Sequence, residues 1–306
     1  MSAARVRLRR AVALGGGHGL ARTLAALRTL ADEVVAIVSV ADDGGSSGRL
    51  RRDLDVVPPG DLRMALTALG HRERLAEVLG YRFPRGELAG HALGNLVLVA
   101  LQDLHEGDLV AALDELAYHL GVAGRVLPCT TDHVTLHARS LAGPVSGQAA
   151  IAATSRLERV WLQPEAPAAT PAALEALTGA DLVVLGPGSL YTSLLPNLLV
   201  PELAAAVIAA PGPRVLVANL REQLGETEGM SLADHLEALA SHVPALPVDV
   251  VLLHDGRTPR GPGRPLDPGP LPPPRARVGR VERADLLGDH DGHDPDALAR
   301  ALARLV

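Results

Sequence analysis

Three short stretches set bare glycine backbone beside hydroxyls, acids and arginines: GGGHG at 15–19, ADDGGSSGR at 41–49 and GPGSLYTS at 186–193. Each follows an apolar run. Glycine lets backbone N–H groups approach an anion with no Cβ in the way, and a helix start behind the loop adds a favourable dipole. Ser46, Ser47, Ser189 and Thr192 offer hydroxyl donors, and Arg49 offers a guanidinium that pairs with phosphate in bidentate fashion. One such loop alone reads as a tight turn. Three at strand exits predict a site for a phosphate-bearing ligand of nucleotide type. Its expected residues are Gly15, Gly16, Gly17, His18 and Gly19, then Asp42, Asp43, Gly44, Gly45, Ser46 and Arg49, then Gly186, Pro187, Gly188, Ser189 and Thr192.

The acids Asp42 and Asp43 carry three readings: ribose recognition, a Mg²⁺ ion bridging phosphates, or loop capping. Adjacent side chains point apart, so one of the two faces the ligand. In PPGDLRMAL (58–66), Asp61 is placed to start a helix, with Arg63 in its first turn; it is a cap or a second wall of the site. GHALGN (90–95) puts His91 and Asn95 four residues apart, on one helical face. There they either satisfy a helix start or reach a phosphate and a base or sugar edge. His133 and His137 share one side of a strand but lie about 13 Å apart, too far to chelate one ion. DHDGHD (289–294) has metal-like composition, although Asp294 reads as a helix cap. Cys129 reads as a packing residue.

Composition removes several function classes. All 29 basic residues are arginine. A Walker phosphate loop and Schiff-base chemistry both need lysine, so both are excluded. The first glycines miss the dinucleotide pattern G-x-G-x-x-G/A, since Leu20 or Arg22 falls at its last position. A nicotinamide-dependent reductase therefore stands third among the readings, kept only by Asp42 at the end of its strand. A net charge of −6 gives no support to nucleic-acid binding. The one cysteine allows no intrachain disulfide. Arg5 to Arg10 resemble a signal-peptide start, but Gly15–Gly17 break the apolar run that follows. No stretch approaches the roughly 18 apolar residues of a membrane span, so the expectation is a cytoplasmic protein with no membrane insertion.

The elements that must position these loops follow from periodicity. Apolar residues at 20, 24, 27 and 30 predict a helix, and Val34–Val40 predicts a strand covered on both faces. With the short run Val12–Leu14 they form a βαβ unit. Helices are expected at 92–104 and 109–120, and an antiparallel excursion around 130–163. Thr170-Pro171 should open a helix before the strand 181–185. A helix at 201–210, a strand at 214–218, a helix capped by Ser231 and Asp234, a strand at 248–253 and a last helix after Asp294 complete the pattern. The proline-rich stretch 258–274 reads as a surface loop without chemistry. No repeat or linker is visible, so one domain spanning 1–306 is expected.

Taken in order, GGGHGL, VADDGGSSGRLR, PPGDLRMAL, GHALGNL, GPGSLYTSLLPNLLV and NLREQLGETEG resemble the gluconeogenesis factor (YvcK-type) family, whose members are similar to the 2-phospho-L-lactate transferase of coenzyme F420 synthesis. The resemblance runs from Val12 to about His254. It implies a three-layer, Rossmann-like α/β fold with a mostly parallel sheet, and a site that also draws on Tyr191 and Asn219. It implies binding of UDP-sugars such as UDP-N-acetylglucosamine, and a regulatory role in cell shape and peptidoglycan synthesis during gluconeogenic growth. The alternative it carries is a Mg²⁺-dependent transferase of a phospho-lactyl-like group from a nucleoside diphosphate donor, with Asp43 as the expected metal ligand. A binding regulator is favoured over an enzyme, because no nucleophile–base pair is readable. A homodimer is left open and the protein partner is unidentified. His18 stands where the family usually shows Thr, and REQL at 221–224 departs from its Thr-Gln-Pro.

Overall fold

Strands β1 (Leu8–Gly15) and β2 (Ala31–Val38) are buried residue after residue, from Ala11 to Gly15 and from Val34 to Val38. Successive strand side chains point to opposite faces, so burial at every position means helical cover on both sides. The computed structural model describes residues 7–288 and 292–306. Between β1 and β2 lies α1 (Gly17–Leu27). After β2 come α2 (Gly45–Leu54), α3 (Gly60–Leu69), α4 (Glu73–Gly80), α5 (Leu93–Leu104) and α6 (Leu109–Leu120), then β3 (Gly124–Pro128). The excursion consists of β4 (Thr135–Ser140), β5 (Gly143–Ser146), the short α7 (Gln148–Ala152) and β6 (Leu157–Gln163). Alternation resumes with α8 (Pro171–Thr178), β7 (Leu182–Leu185), a π-helical turn (Leu190–Leu194), α9 (Leu195–Leu198) and α10 (Pro201–Ala209). The chain ends with β8 (Arg214–Val217), α11 (Leu232–His242), β9 (Pro247–His254), β10 (Arg277–Ala284) and α12 (Pro295–Leu302).

Seven strands form one parallel sheet in the order β10-β9-β8-β7-β1-β2-β3, and β4 lies antiparallel between β5 and β6 in a second, small sheet. This is the expected α/β fold with its antiparallel excursion. Strand β1 has β2 on one side and β7 on the other, so the winding direction reverses there. In open α/β sheets the crevice beyond that reversal is where ligands bind. Register sets the crevice: Leu14 pairs with Ile37 and with Leu185. Gly186 N–H then donates to Leu14 O at 3.1 Å, and Ser39 N–H to Gly15 O at 3.1 Å. All three glycine-bearing loops leave the sheet side by side.

Several elements differ from the sequence pattern for physical reasons. Helix α2 begins at Gly45 inside the GGSSG stretch, whose glycines and serines read as loop because they are weak helix formers. Strand β10 was not legible, since RVGRVERA is largely exposed at the sheet edge and lacks an apolar run. Among the described residues, no single helix is long and apolar enough to cross a membrane.

Two of the expected caps behave differently. Ser231 and Asp234 form a reciprocal capping box. Thr170 occupies the cap position of α8, yet its Oγ1 is buried with no hydrogen-bond partner. Ser231→Ala should therefore lower stability by about 1 kcal/mol. Thr170→Val, which removes a buried unpaired hydroxyl at constant shape, should be neutral or stabilising. Urea-unfolding midpoints of the two variants check this contrast.

Candidate functional site

A cleft of about 800 Å³ opens at the reversal point, within the range of small-molecule sites. Its floor is the first and third glycine loops. An added Cβ on Gly19 would lie 2.2 Å from Pro187 O and 3.1 Å from Gly188 Cα, so only glycine lets the two backbones meet. Gly17 has a φ of +59°, and a Cβ there would meet nothing within 4 Å. Gly16 to Gly19 and Pro187 to Ser189 line the cleft. The N-terminus of α1, eleven residues long, opens into it, and its cap residue Gly16 supplies no side chain. His18 stands exposed in that turn.

Two acids form the adjoining wall. Asp42 lines the cleft and its Oδ1 accepts Gly44 N–H at 2.9 Å. Asp61, at the start of α3, accepts the N–H of Gly17. Burial pushes the Asp61 carboxyl up to about 6, with the neighbouring Asp42 raising it further. Burial also raises Asp42, against hydrogen bonds from Gly44 and Ser47. Among the described residues neither carboxylate makes an ion pair. Asp43, the expected metal ligand, turns the other way. Its Oδ1 accepts Ala149 N–H at 2.9 Å, and it packs against Gly147. Among the described residues no three His, Cys, Asp or Glu are grouped to hold a metal. Asp42 and Asp61 offer two.

The third loop is held from behind by NLREQLGETEG. Asn219 Oδ1 accepts Gly188 N–H and its Nδ2 donates to Gly188 O, both at 2.9 Å. Ser189 Oγ donates to Gln223 Oε1 at 2.9 Å. Buried Glu226 accepts Tyr191 N–H at 2.6 Å, Thr192 N–H at 3.2 Å and Thr192 Oγ1–H at 2.8 Å. Tyr191 and Thr192 therefore lie in the buried π-helical turn, and neither lines the cleft. Gly186 and Gly15 are likewise behind it, in the backbone that connects loop to strand.

The remaining sequence candidates come together outside the cleft. Ser46 Oγ lies 3.0 Å from His91 Nδ1 and accepts from Asn95 Nδ2 at 3.0 Å, while Arg63 Nε donates to Asn95 Oδ1 at 3.0 Å. Burial lowers the His91 imidazole, which fits a neutral ring accepting at Nδ1. Arg49 donates to Ala89 O at 2.6 Å. These residues, with Gly44 and Gly45 at the N-terminus of α2, brace the Asp42 loop against α3 and α5.

Sequence reasoning missed the opposite wall. The proline-rich segment, expected to be idle, folds back so that Arg260, Gly261 and Pro262 line the cleft. Arg221 holds it by donating to Pro259 O at 2.9 Å, Gly263 O at 2.6 Å and Gly261 O. Glu222 accepts Arg264 N–H, Nε and Nη2 at 2.9–3.1 Å, and those bonds hold its carboxyl down to about 2. A basic residue followed by an acid before a glycine-rich turn was the available signal. From DHDGHD, His293 reaches the cleft; burial pushes it down to about 4, and its Nε2 lies 3.1 Å from Ala218 O. Asp294 caps α12. Residues 289–291 of that motif lie outside the described residues.

The family pattern of 2-phospho-L-lactate transferase CofD matches residues 11–262. The chain belongs to the CofD family, among its gluconeogenesis factors. It is 51% identical over 262 residues to a Mycobacterium tuberculosis protein described as a candidate gluconeogenesis factor, covering 81% of this chain and 76% of the relative. It is 45% identical over 244 residues to the gluconeogenesis factor of Bacillus subtilis, covering 78% and 77%. A crystal structure of a UPF0052 family protein from Bacillus halodurans superposes with a TM-score of 0.88 at 35% identity, over 97% of this chain and 99% of that one.

Two consequences are measurable. Glu226→Ala should destabilise by about 2 kcal/mol or more, because it strands two buried backbone N–H groups; denaturant unfolding reads this. A carboxyl raised on folding holds its proton more tightly in the native state, so stability falls as pH rises from about 4 to about 6. Asp61→Asn should flatten that decline and raise stability above pH 6 by about 1–3 kcal/mol. A series of urea titrations between pH 4 and 8 tests the sign.

Proposed function

We propose that this protein is a cytoplasmic regulator that binds a nucleotide sugar of the UDP-N-acetylglucosamine type, with the diphosphate lying over the first and third glycine loops. The observation that carries the reading is Gly17: its backbone opens into unfilled space at a helix N-terminus, at the reversal point of a parallel sheet. The uridine and the sugar come from the resemblance to gluconeogenesis factors, as does the role in cell morphogenesis and wall synthesis under gluconeogenic growth. The whole chain acts as one nucleotide-sugar-binding unit in this reading.

Asp42 and Asp61 would hold a Mg²⁺ ion. Magnesium takes one or two carboxylates and completes its shell with phosphate oxygens and water. Two half-buried acids with no ion-pair partner suit it, and bound metal would offset the charge of the diphosphate. That pair also favours a second reading, transfer of a phospho-lactyl-like group from a nucleoside diphosphate donor. Here the residues position the donor and the ion supplies charge stabilisation.

Calorimetry with UDP-N-acetylglucosamine, with and without Mg²⁺, tests the first reading. Saturation at about 100 times Kd should stabilise the fold by about 2.7 kcal/mol. Gly17→Ala should bind at least ten-fold more weakly while remaining folded, since its added methyl occupies the anion's path. Asp42→Asn should remove any magnesium dependence; Asp43→Asn should not. Failure of every uridine nucleotide to bind would reject the reading. Release of nucleoside monophosphate from a phospho-lactyl nucleoside donor would favour the transferase.

A further inference from the structure

The small antiparallel sheet has one face on the core and one in solvent, and the solvent face is chemically distinctive. Leu136, Ala138, Val160 and Leu162 point inward and are buried. Outward, Arg139 pairs directly with Arg159 across the strands, and His137 with Trp161. Like charges placed opposite one another in an antiparallel pair are destabilising. Neither arginine has an ion-pair or side-chain hydrogen-bond partner among the described residues, and both are exposed. The only acid on these three strands, Glu158 at the bulge, pairs with neither. Exposed Arg156 immediately precedes β6. Three arginines against one glutamate thus form a basic island on a chain of net charge −6.

Beside this island the chain places its single tryptophan, although aromatics are only 2% of its residues. Trp161 is half-buried and stacks on His137 with ring centroids 5.7 Å apart and planes at 16°. Leu141, at the tip of the β4–β5 hairpin, is 66% exposed. An aromatic, an aliphatic and uncompensated arginines on one rigid face are the composition of a protein-binding patch. The island adjoins the cleft: β5 runs through Gly147 directly into Gln148, which lines it.

We propose that the outward face of the β4–β5–β6 sheet is a docking surface for an acidic, extended segment of a partner protein, its carboxylates paired with Arg139 and Arg159 and its apolar side chains against Trp161 and Leu141. Charge complementarity selects this occupant, because the island leaves two opposed guanidinium groups unmatched. A nucleic acid is disfavoured by the overall negative charge, and His137 already covers one face of the tryptophan.

Trp161 is its own reporter. The full chain is titrated with a Glu-rich twelve-residue peptide, its Gln-for-Glu counterpart and a twelve-nucleotide oligothymidine while tryptophan emission is followed. The Glu-rich peptide should produce a saturable change that weakens at least five-fold in 0.5 M salt, as expected for exposed charges. The Gln peptide should bind at least ten-fold more weakly. Arg159→Glu should abolish the change and raise the thermal midpoint, because it replaces a repulsive pair by an attractive one; loss of binding then does not stem from misfolding. No saturable response to the Glu-rich peptide, an unchanged response in Arg159→Glu, a lowered midpoint in that variant, or tighter binding of the oligonucleotide would each overturn the proposal.

Discussion

Gly19 touches the backbone of Pro187 and Gly188 so closely that no side chain fits between them, and the site depends on that contact. It forces the first and third loops into one surface and fixes the entry of α1 beside the exit of β7. The parallel register of β1 with β2 and β7 brings the loops within reach. Thr23 strengthens the junction by donating to Gly186 O at 3.1 Å, as does buried Asn197 with its bond to Gly15 O at 3.2 Å. Any ligand in the cleft meets a floor made of main chain, with the Asp61 carboxylate on the Gly17 N–H and the Asn219 amide oxygen on the Gly188 N–H.

Around that floor the charge is divided. On one wall burial raises the proton affinity of both Asp42 and Asp61, and Asp42 raises that of Asp61 further. On the other, Arg221 and Glu222 fasten the segment that carries Arg260. Arg221 directs its Nη1 and Nη2 to carbonyls of the proline-rich segment, and Glu222 accepts from Arg264 and from Gly229 N–H, so these two residues shape the wall. Anion-friendly backbone between a cation-friendly acid pair and an arginine-bearing strap is the environment a metal-bridged diphosphate requires.

Much of this was legible beforehand, and the limits have physical causes. The glycine loops, the βαβ start, the helices 93–104 and 109–120, and the antiparallel excursion follow from composition and periodicity, because local sequence decides them. Which of two adjacent acids faces the cleft depends on how the loop closes, and the Asx turn from Asp42 to Gly44 N–H settles it only in three dimensions. Ser46, Arg63, His91 and Asn95 looked like ligand-binding groups because they are polar and clustered. They hydrogen-bond to one another outside the cleft, as buried polar groups are paired. The proline-rich strap was invisible because its role rests on contacts 38 to 42 residues away, made by Arg221 and Glu222.

The most direct test of the central claim is a crystal structure grown with UDP-N-acetylglucosamine and Mg²⁺. The expected result is the diphosphate against the backbone of Gly16–Gly19 and Pro187–Ser189, with a metal ion between it and the carboxylates of Asp42 and Asp61. A nucleotide bound against the Ser46–His91–Asn95 cluster, or a metal on Asp43 with Asp42 and Asp61 uninvolved, would contradict it.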